Sequence, residues 1–187
     1  PFDASLPSEF ISFQISSNPV EPIPAIAVNA GQRVLTEDEL KTFITALGTT
    51  PIDLAIKVAL FSGGQRMAQL LRAEAIHWDP QNRTLLLYDG KGKRRNAREH
   101  LLPLQETAAG IVAGIMERHP EKWIFSNDGG KTPIHGANTG KRISQIVADK
   151  KMTDFDYRDI RRTCETMLAG LGVGKDTRAQ LLSHGIS

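Results

Sequence analysis

Between Thr84 and Leu104 the spacing of apolar residues changes from a helical period to a strand period, and that change limits what the chain can fold into. Thr84-Leu85-Leu86-Leu87-Tyr88 and Glu99-His100-Leu101-Leu102-Pro103-Leu104 are short apolar runs. Between them lies Gly90-Lys91-Gly92-Lys93-Arg94-Arg95-Asn96-Ala97-Arg98, rich in glycine and basic residues. Two such runs about such a turn predict an antiparallel hairpin. Helical patterns flank it on both sides, so the fold class is α+β and mainly α-helical, a small antiparallel hairpin or sheet packed against a helical bundle.

The helix starts are written in capping chemistry. Thr36-Glu37-Asp38-Glu39 is a capping box opening a helix to about Leu47. Thr50-Pro51-Ile52-Asp53 supplies the next helix with an N-cap, a proline at its first position and an acidic first turn. Further helices are predicted over about 65–74, 105–118, 138–150 and 175–183, with Trp123-Ile124-Phe125 a short buried segment. Ile160, Cys164, Met167, Leu168 and Leu171 recur at helical spacing and predict a core-facing stripe. Arg158, Arg161 and Arg162 fall largely off that stripe. Residues 1–33 carry Pro1, Pro7, Pro19, Pro22 and Pro24, which oppose continuous helix. They read as a linker or the tail of a preceding domain, with the domain proper from about residue 34 to 187.

Composition narrows the function classes. A chain of 187 residues is long enough to bury one ordinary core. Its single cysteine, Cys164, rules out a disulfide framework and a thiolate zinc site. His77, His100, His119 and His135 show no metal-ligand spacing, so no metal or other cofactor is expected. No apolar run approaches the roughly 18 residues of a membrane span, and no secretory pattern opens the chain, so the expected location is cytoplasmic. The net charge of +2 is small, and a nucleic-acid surface must therefore come from local clusters of charge.

Four clusters stand out. Arg158-Asp159-Ile160-Arg161-Arg162 crowds three guanidinium groups into five residues of one helix and calls for an anionic partner such as a phosphodiester. Phe61-Ser62-Gly63-Gly64-Gln65-Arg66 puts an arginine just after a glycine pair, where a backbone or a phosphate can come close to a helix N-terminus. The hairpin turn holds Lys91, Lys93, Arg94 and Arg95 at a tip that can enter a DNA groove or bring a lysine to a phosphate. His184 closes Leu181-Leu182-Ser183-His184-Gly185. Each has a plain alternative when taken alone. A basic helix face or loop is commonly just solvated, and His184 followed by Gly185 fits a helix C-cap.

Taken together, the order Arg66, Lys91 or Lys93, Arg158, Arg161, His184 resembles the catalytic domain of the tyrosine recombinases, the phage integrase family, over nearly all of residues 33–187. Ser62 to Leu71 resembles the family's Thr-Gly-x-Arg box, with Arg66 as its first arginine. The hairpin resembles the strand pair whose turn bears the family's lysine. Asp159-Ile160-Arg161-Arg162-Thr163 resembles the His-x-Leu-Arg-His/Arg-Thr box, and Leu181-Leu182-Ser183-His184-Gly185 the Leu-Leu-Gly-His box. The resemblance implies that residues 1–33 end a core-binding domain and that residues 34–187 form a catalytic domain cut before its nucleophile.

The resemblance also implies a chemistry: site-specific recombination or integration, by cleavage and rejoining of double-stranded DNA through a 3′-phosphotyrosyl intermediate. No metal or nucleotide takes part, and the full-length protein self-associates on DNA as a synaptic tetramer. It assigns Arg66 and Arg161 to the nonbridging oxygens, and Lys91, with Lys93 second, to the leaving 5′-oxygen. Arg158 and His184 make further phosphate contacts, and Lys93, Arg94, Arg95 and Arg162 contact DNA. Three departures accompany it. Arg158 stands where the family has histidine, and an arginine does not give up a proton. Gln69 stands where an acidic residue supports the first arginine. The nucleophilic tyrosine is expected a short way beyond His184, and neither Tyr88 nor Tyr157 matches its position. The rival readings are a noncatalytic DNA-binding domain on the same scaffold, and a type IB topoisomerase, whose boxes sit in a longer chain.

Overall fold

The computed structural model describes residues 33–89 and 97–183. They fall in one compact unit. Residues 1–32, the hairpin turn 90–96 and residues 184–187, and with them the expectations placed there, lie outside the described residues.

Two N-terminal helices form as their caps dictate. Helix α1 (Glu37–Ala46) opens on a complete capping box, Thr36 accepting from the Glu39 amide and the Glu39 carboxylate accepting from the Thr36 amide. Helix α2 (Pro51–Phe61) has Thr50 as its N-cap and proline in its first turn. Phe43, Ala55, Ile56, Val58 and Ala59 are fully buried, so α2 runs through the middle of the core.

Helix α3 (Met67–Leu70) is much shorter than the stretch 65–74 expected from periodicity. A competing set of backbone bonds ends it. The Ile124 amide donates to the Ala73 carbonyl at 3.0 Å, and the Ala75 amide to the Lys122 carbonyl at 2.7 Å. Residues 73–75 thus pair with 122–124, and a 3-10 turn at Ala75–His77 leads into the sheet. Strands β1 (Trp78–Asp79), β2 (Thr84–Asp89) and β3 (Arg98–Pro103) form a three-stranded antiparallel sheet in the order β1-β2-β3. The expected hairpin is present, with Leu85 opposite Leu102 and Leu87 opposite His100. Leu85, Leu87 and Leu102 face the core.

Helices α4 (Glu106–Met116), α5 (Ala137–Asp149), α6 (Tyr157–Gly170) and α7 (Lys175–Leu181) complete the order. Helix α4 packs on α2 through buried Ala108, Ala109, Val112 and Ile115. Helix α5 is tied to α2 by the Arg142 guanidinium, whose Nε stands 2.6 Å from the buried Asp53 carboxylate. Helix α6 is capped by Asp156, which accepts from the Arg158 and Asp159 amides. Only the first half of its apolar stripe is core. Ile160 and Cys164 are buried, whereas Met167 is 45% and Leu171 79% exposed, because the helix extends past the elements that cover its start.

The fold is therefore mainly helical with a small three-stranded antiparallel sheet. Among the described residues no helix is long and apolar enough to cross a membrane, and no three His, Cys, Asp or Glu side chains gather as metal ligands.

Candidate active site

The turn from α2 into α3 rests on two glycines in a conformation that other residues rarely adopt. Gly63 has φ 82° and Gly64 φ 86°, both in the left-handed region. The Gly64 and Gln65 amides both donate to the Ala59 carbonyl, at 2.8 and 3.0 Å, which folds the chain sharply off the end of α2. Helix α6 comes close because Gly64 has no side chain. A Cβ there would stand 3.1 Å from both the Arg161 Cα and the Cys164 Cβ. The turn thus sets Arg66, at the start of α3, beside Arg161 on α6.

Both guanidinium groups reach the same place. Arg161 donates from Nη1 to the Gly64 carbonyl at 2.8 Å and from Nη2 to the Leu182 carbonyl. Arg66 donates from Nη1 to the Ser183 carbonyl at 3.0 Å. The two forks meet on consecutive carbonyls at the C-terminal end of α7. Burial, and then the neighbouring Arg66 cation, disfavour the charged form of Arg161 and hold its pKa below the ordinary guanidinium value. Two part-buried like charges in one place favour an anion between them.

The other two arginines of the cluster point elsewhere. Arg158, with its side chain 86% exposed, donates from Nε and Nη2 to the Asp156 carboxylate at 2.9 and 2.8 Å. That hydrogen bond raises its pKa further. Arg162 donates to the Asp159 carboxylate at 2.7 Å and to the Arg33 carbonyl at 3.3 Å. It braces α6 against the segment leading into α1, where the Leu35 amide also donates to the Thr163 hydroxyl at 2.9 Å. Lys91, Lys93, Arg94, Arg95 and His184 lie outside the described residues.

Neither tyrosine stands with the arginines as an attacking group. The Tyr157 hydroxyl donates to the Gln65 carbonyl at 2.6 Å, and its enclosure pushes the phenol far above its ordinary pKa. Tyr88, on β2, lies edge-on to His77 with ring centroids 5.2 Å apart. Cys164, beside Gly64, is held as a neutral thiol, burial raising its pKa to about 11.

Two glutamines complete the surroundings. Gln65 is fully buried, and its amide nitrogen donates to the Ser62 carbonyl at 2.8 Å and to the Leu181 carbonyl at 2.7 Å. Gln69 is 5% exposed, and neither its Nε2 nor its Oε1 has a hydrogen-bond partner among the described residues. Sequence reasoning singled out Gln69, weighed Tyr157 only as a nucleophile and passed over Gln65. The partners of Gln65 and Tyr157 lie 116 and 92 residues away, so no local spacing marks them.

Comparison with known proteins places the family and the fold. The phage integrase family matches residues 33–185, and the chain belongs to that family. No curated protein matches it in sequence. Among solved structures it is similar to XerA recombinase, with a TM-score of 0.69 at 17% identity over 84% of this chain and 58% of that one. It is also similar to the Tn1549 transposon integrase in complex with a circular intermediate DNA, with a TM-score of 0.68 at 13% identity over 86% and 60%. A lambda integrase tetramer bound to a Holliday junction matches with a TM-score of 0.68 at 15% identity over 95% and 54%. The chain thus spans between 54% and 60% of the length of these three proteins.

Proposed function

We propose that this member of the phage integrase family forms the phosphate-activating part of a site-specific DNA recombinase, which cleaves and rejoins strands through a 3′-phosphotyrosyl intermediate. The observation that carries the reading is the convergence of Arg66 and Arg161 at the end of α7. Phosphoryl transfer spreads charge over the nonbridging oxygens, and cations fixed in advance stabilise it without reorganising during the reaction. Arg66 and Arg161 take those oxygens. A tyrosine hydroxyl attacks the phosphorus and sheds its proton, the bond to the 5′-oxygen breaks, and that oxygen takes a proton from Lys91, with Lys93 as second choice. Bond energy is kept in the phosphotyrosine, so a 5′-hydroxyl can reverse the step. Tyr157 is committed to the Gln65 carbonyl and Tyr88 lies on the sheet, so the attacking tyrosine is assigned to chain following Ser187.

His184 and Arg158 make further phosphate contacts in this reading, and Lys93, Arg94, Arg95 and Arg162 contact DNA. Arg158 must leave Asp156 to do so, and Arg162 must leave Asp159. The DNA partner is double-stranded, and the Holliday-junction tetramer of lambda integrase supports self-association on DNA as the working form. The test is a denaturing-gel assay for a covalent adduct between the full-length protein and a nicked target site. Adduct is expected, and R161A should abolish it. An R161A protein that still forms adduct would overturn the assignment.

A further inference from the structure

We infer that Gln65 is a positioning residue for the reaction: its side-chain amide fixes the end of α7 relative to the two arginines. The inference rests on the proposed strand-cleaving function. Gln65 sits where four elements meet. Its backbone amide is bonded to the end of α2 through Ala59, and its carbonyl accepts from Tyr157 at the start of α6. Its side-chain nitrogen holds the Ser62 carbonyl within the turn and the Leu181 carbonyl at the end of α7.

The three last described carbonyls of the chain are therefore gripped in succession: Leu181 by Gln65, Leu182 by Arg161 and Ser183 by Arg66. Two of these three grips come from the phosphate-directed arginines, which a DNA phosphate will draw on. The third comes from a neutral, fully buried amide that a phosphate does not compete for. Gln65 thus keeps the end of α7 in register while the arginines engage the DNA. Tyr157 acts behind it, since its hydroxyl pins the backbone of the residue that precedes Arg66.

The experiment measures single-turnover adduct formation by the full-length protein on a nicked site over a range of DNA concentrations, for the unsubstituted protein, Q65M and Y157F. Methionine fills the volume of glutamine without its donors, so a packing role leaves Q65M close to the unsubstituted protein. A positioning role lowers its maximal rate by about 10- to 100-fold. The half-saturating DNA concentration should stay within about twofold, since the arginines themselves remain. Y157F, which keeps the side-chain bonds of Gln65, should show the same split with a smaller loss, and it carries the test if Q65M does not fold. Equal maximal rates for the variants and the unsubstituted protein would overturn the inference alone, as would a loss confined to half-saturation. An unsubstituted protein that binds the site and forms no adduct would overturn the proposed function, and this inference with it.

Discussion

Replacing Gly64 by alanine should do more damage than replacing its neighbour Gly63, although the alanine at 63 meets the shorter contact. A side chain in the left-handed region costs about 1–2 kcal/mol at either position. At Gly63 the new Cβ would lie 2.6 Å from the Leu181 Cδ2, the free end of a side chain that can rotate away. At Gly64 it would lie 3.1 Å from the Cα of Arg161 and 3.1 Å from the Cβ of Cys164, so α6 itself must move. Overpacking of that kind adds about 1–3 kcal/mol, offset by about 0.5–1 kcal/mol from alanine's stiffer unfolded chain. The expected totals are about 2–4 kcal/mol for G64A and about 1 kcal/mol for G63A. In a domain of this size these correspond to melting points lowered by about 5–15 °C and 2–4 °C. Because the displaced element carries Arg161, G64A should also weaken duplex DNA binding and flatten its dependence on salt, as expected when a phosphate contact is lost. Thermal unfolding and DNA titration at two ionic strengths measure both effects. G64A melting with G63A, and binding DNA with an unchanged salt slope, would refute the claim that this close approach sets the arginine pair.

Asp53, 1% exposed, is opposed by burial but held ionised by Arg142, by Thr50 and by the Gly48 amide, so its pKa lies below the usual carboxylate value. Its stabilisation is present above the unfolded carboxylate pKa and lost as pH falls through the folded one. D53N should therefore flatten the acid side of a stability-pH curve from urea unfolding, and D53A should cost about 2–4 kcal/mol at neutral pH by leaving Arg142 unpaired. Gln69 buries an amide without partners among the described residues. Q69M should therefore raise stability by about 1 kcal/mol, measured as a shift of the urea midpoint at constant slope. Cys164, with a thiol pKa raised to about 11, should resist iodoacetamide at pH 8 in the folded protein and react once urea unfolds it.

Much of the fold is legible in the sequence, and the limits follow from the range of the interactions. Capping boxes, the proline start of α2 and the two strands of the hairpin are local, and each formed where its residues stand. Helix α3 was misjudged because its end is set by pairing with residues 122–124, about fifty positions on. The far half of the α6 stripe was misjudged for a related reason. Periodicity states which face a helix prefers to bury, and only tertiary placement states how far along its length there is something to bury it against. The arginine pair was legible because the order of the motifs carries it, whereas Gln65 and Tyr157 were not, since the neutral hydrogen bonds that define them leave no mark in the sequence.

The partners of the four arginines separate two uses of the same side chain. Arg66 and Arg161 are gripped by backbone carbonyls, which orient a guanidinium without cancelling its charge. Arg158 and Arg162 each meet a carboxylate, Asp156 and Asp159, which neutralises what it orients. Arg158 and Arg162 must each give up a carboxylate before taking a phosphate, so their share of DNA binding should be the smaller. The last prediction follows from that contrast. R161Q loses two carbonyl bonds but relieves a buried charge and its repulsion from Arg66, so it should shift the melting point less than R162Q does while weakening DNA binding and lowering its salt slope by about one phosphate contact. R162Q loses its ion pair with Asp159 and its tie to the Arg33 carbonyl, and should cost about 1–2 kcal/mol of stability with a smaller effect on binding. Thermal melts and DNA titrations on the two variants decide it. If R162Q weakens DNA binding as much as R161Q does and melts like the unsubstituted protein, the Asp159 pair does not hold Arg162, and its contact with DNA is as strong as that of Arg161.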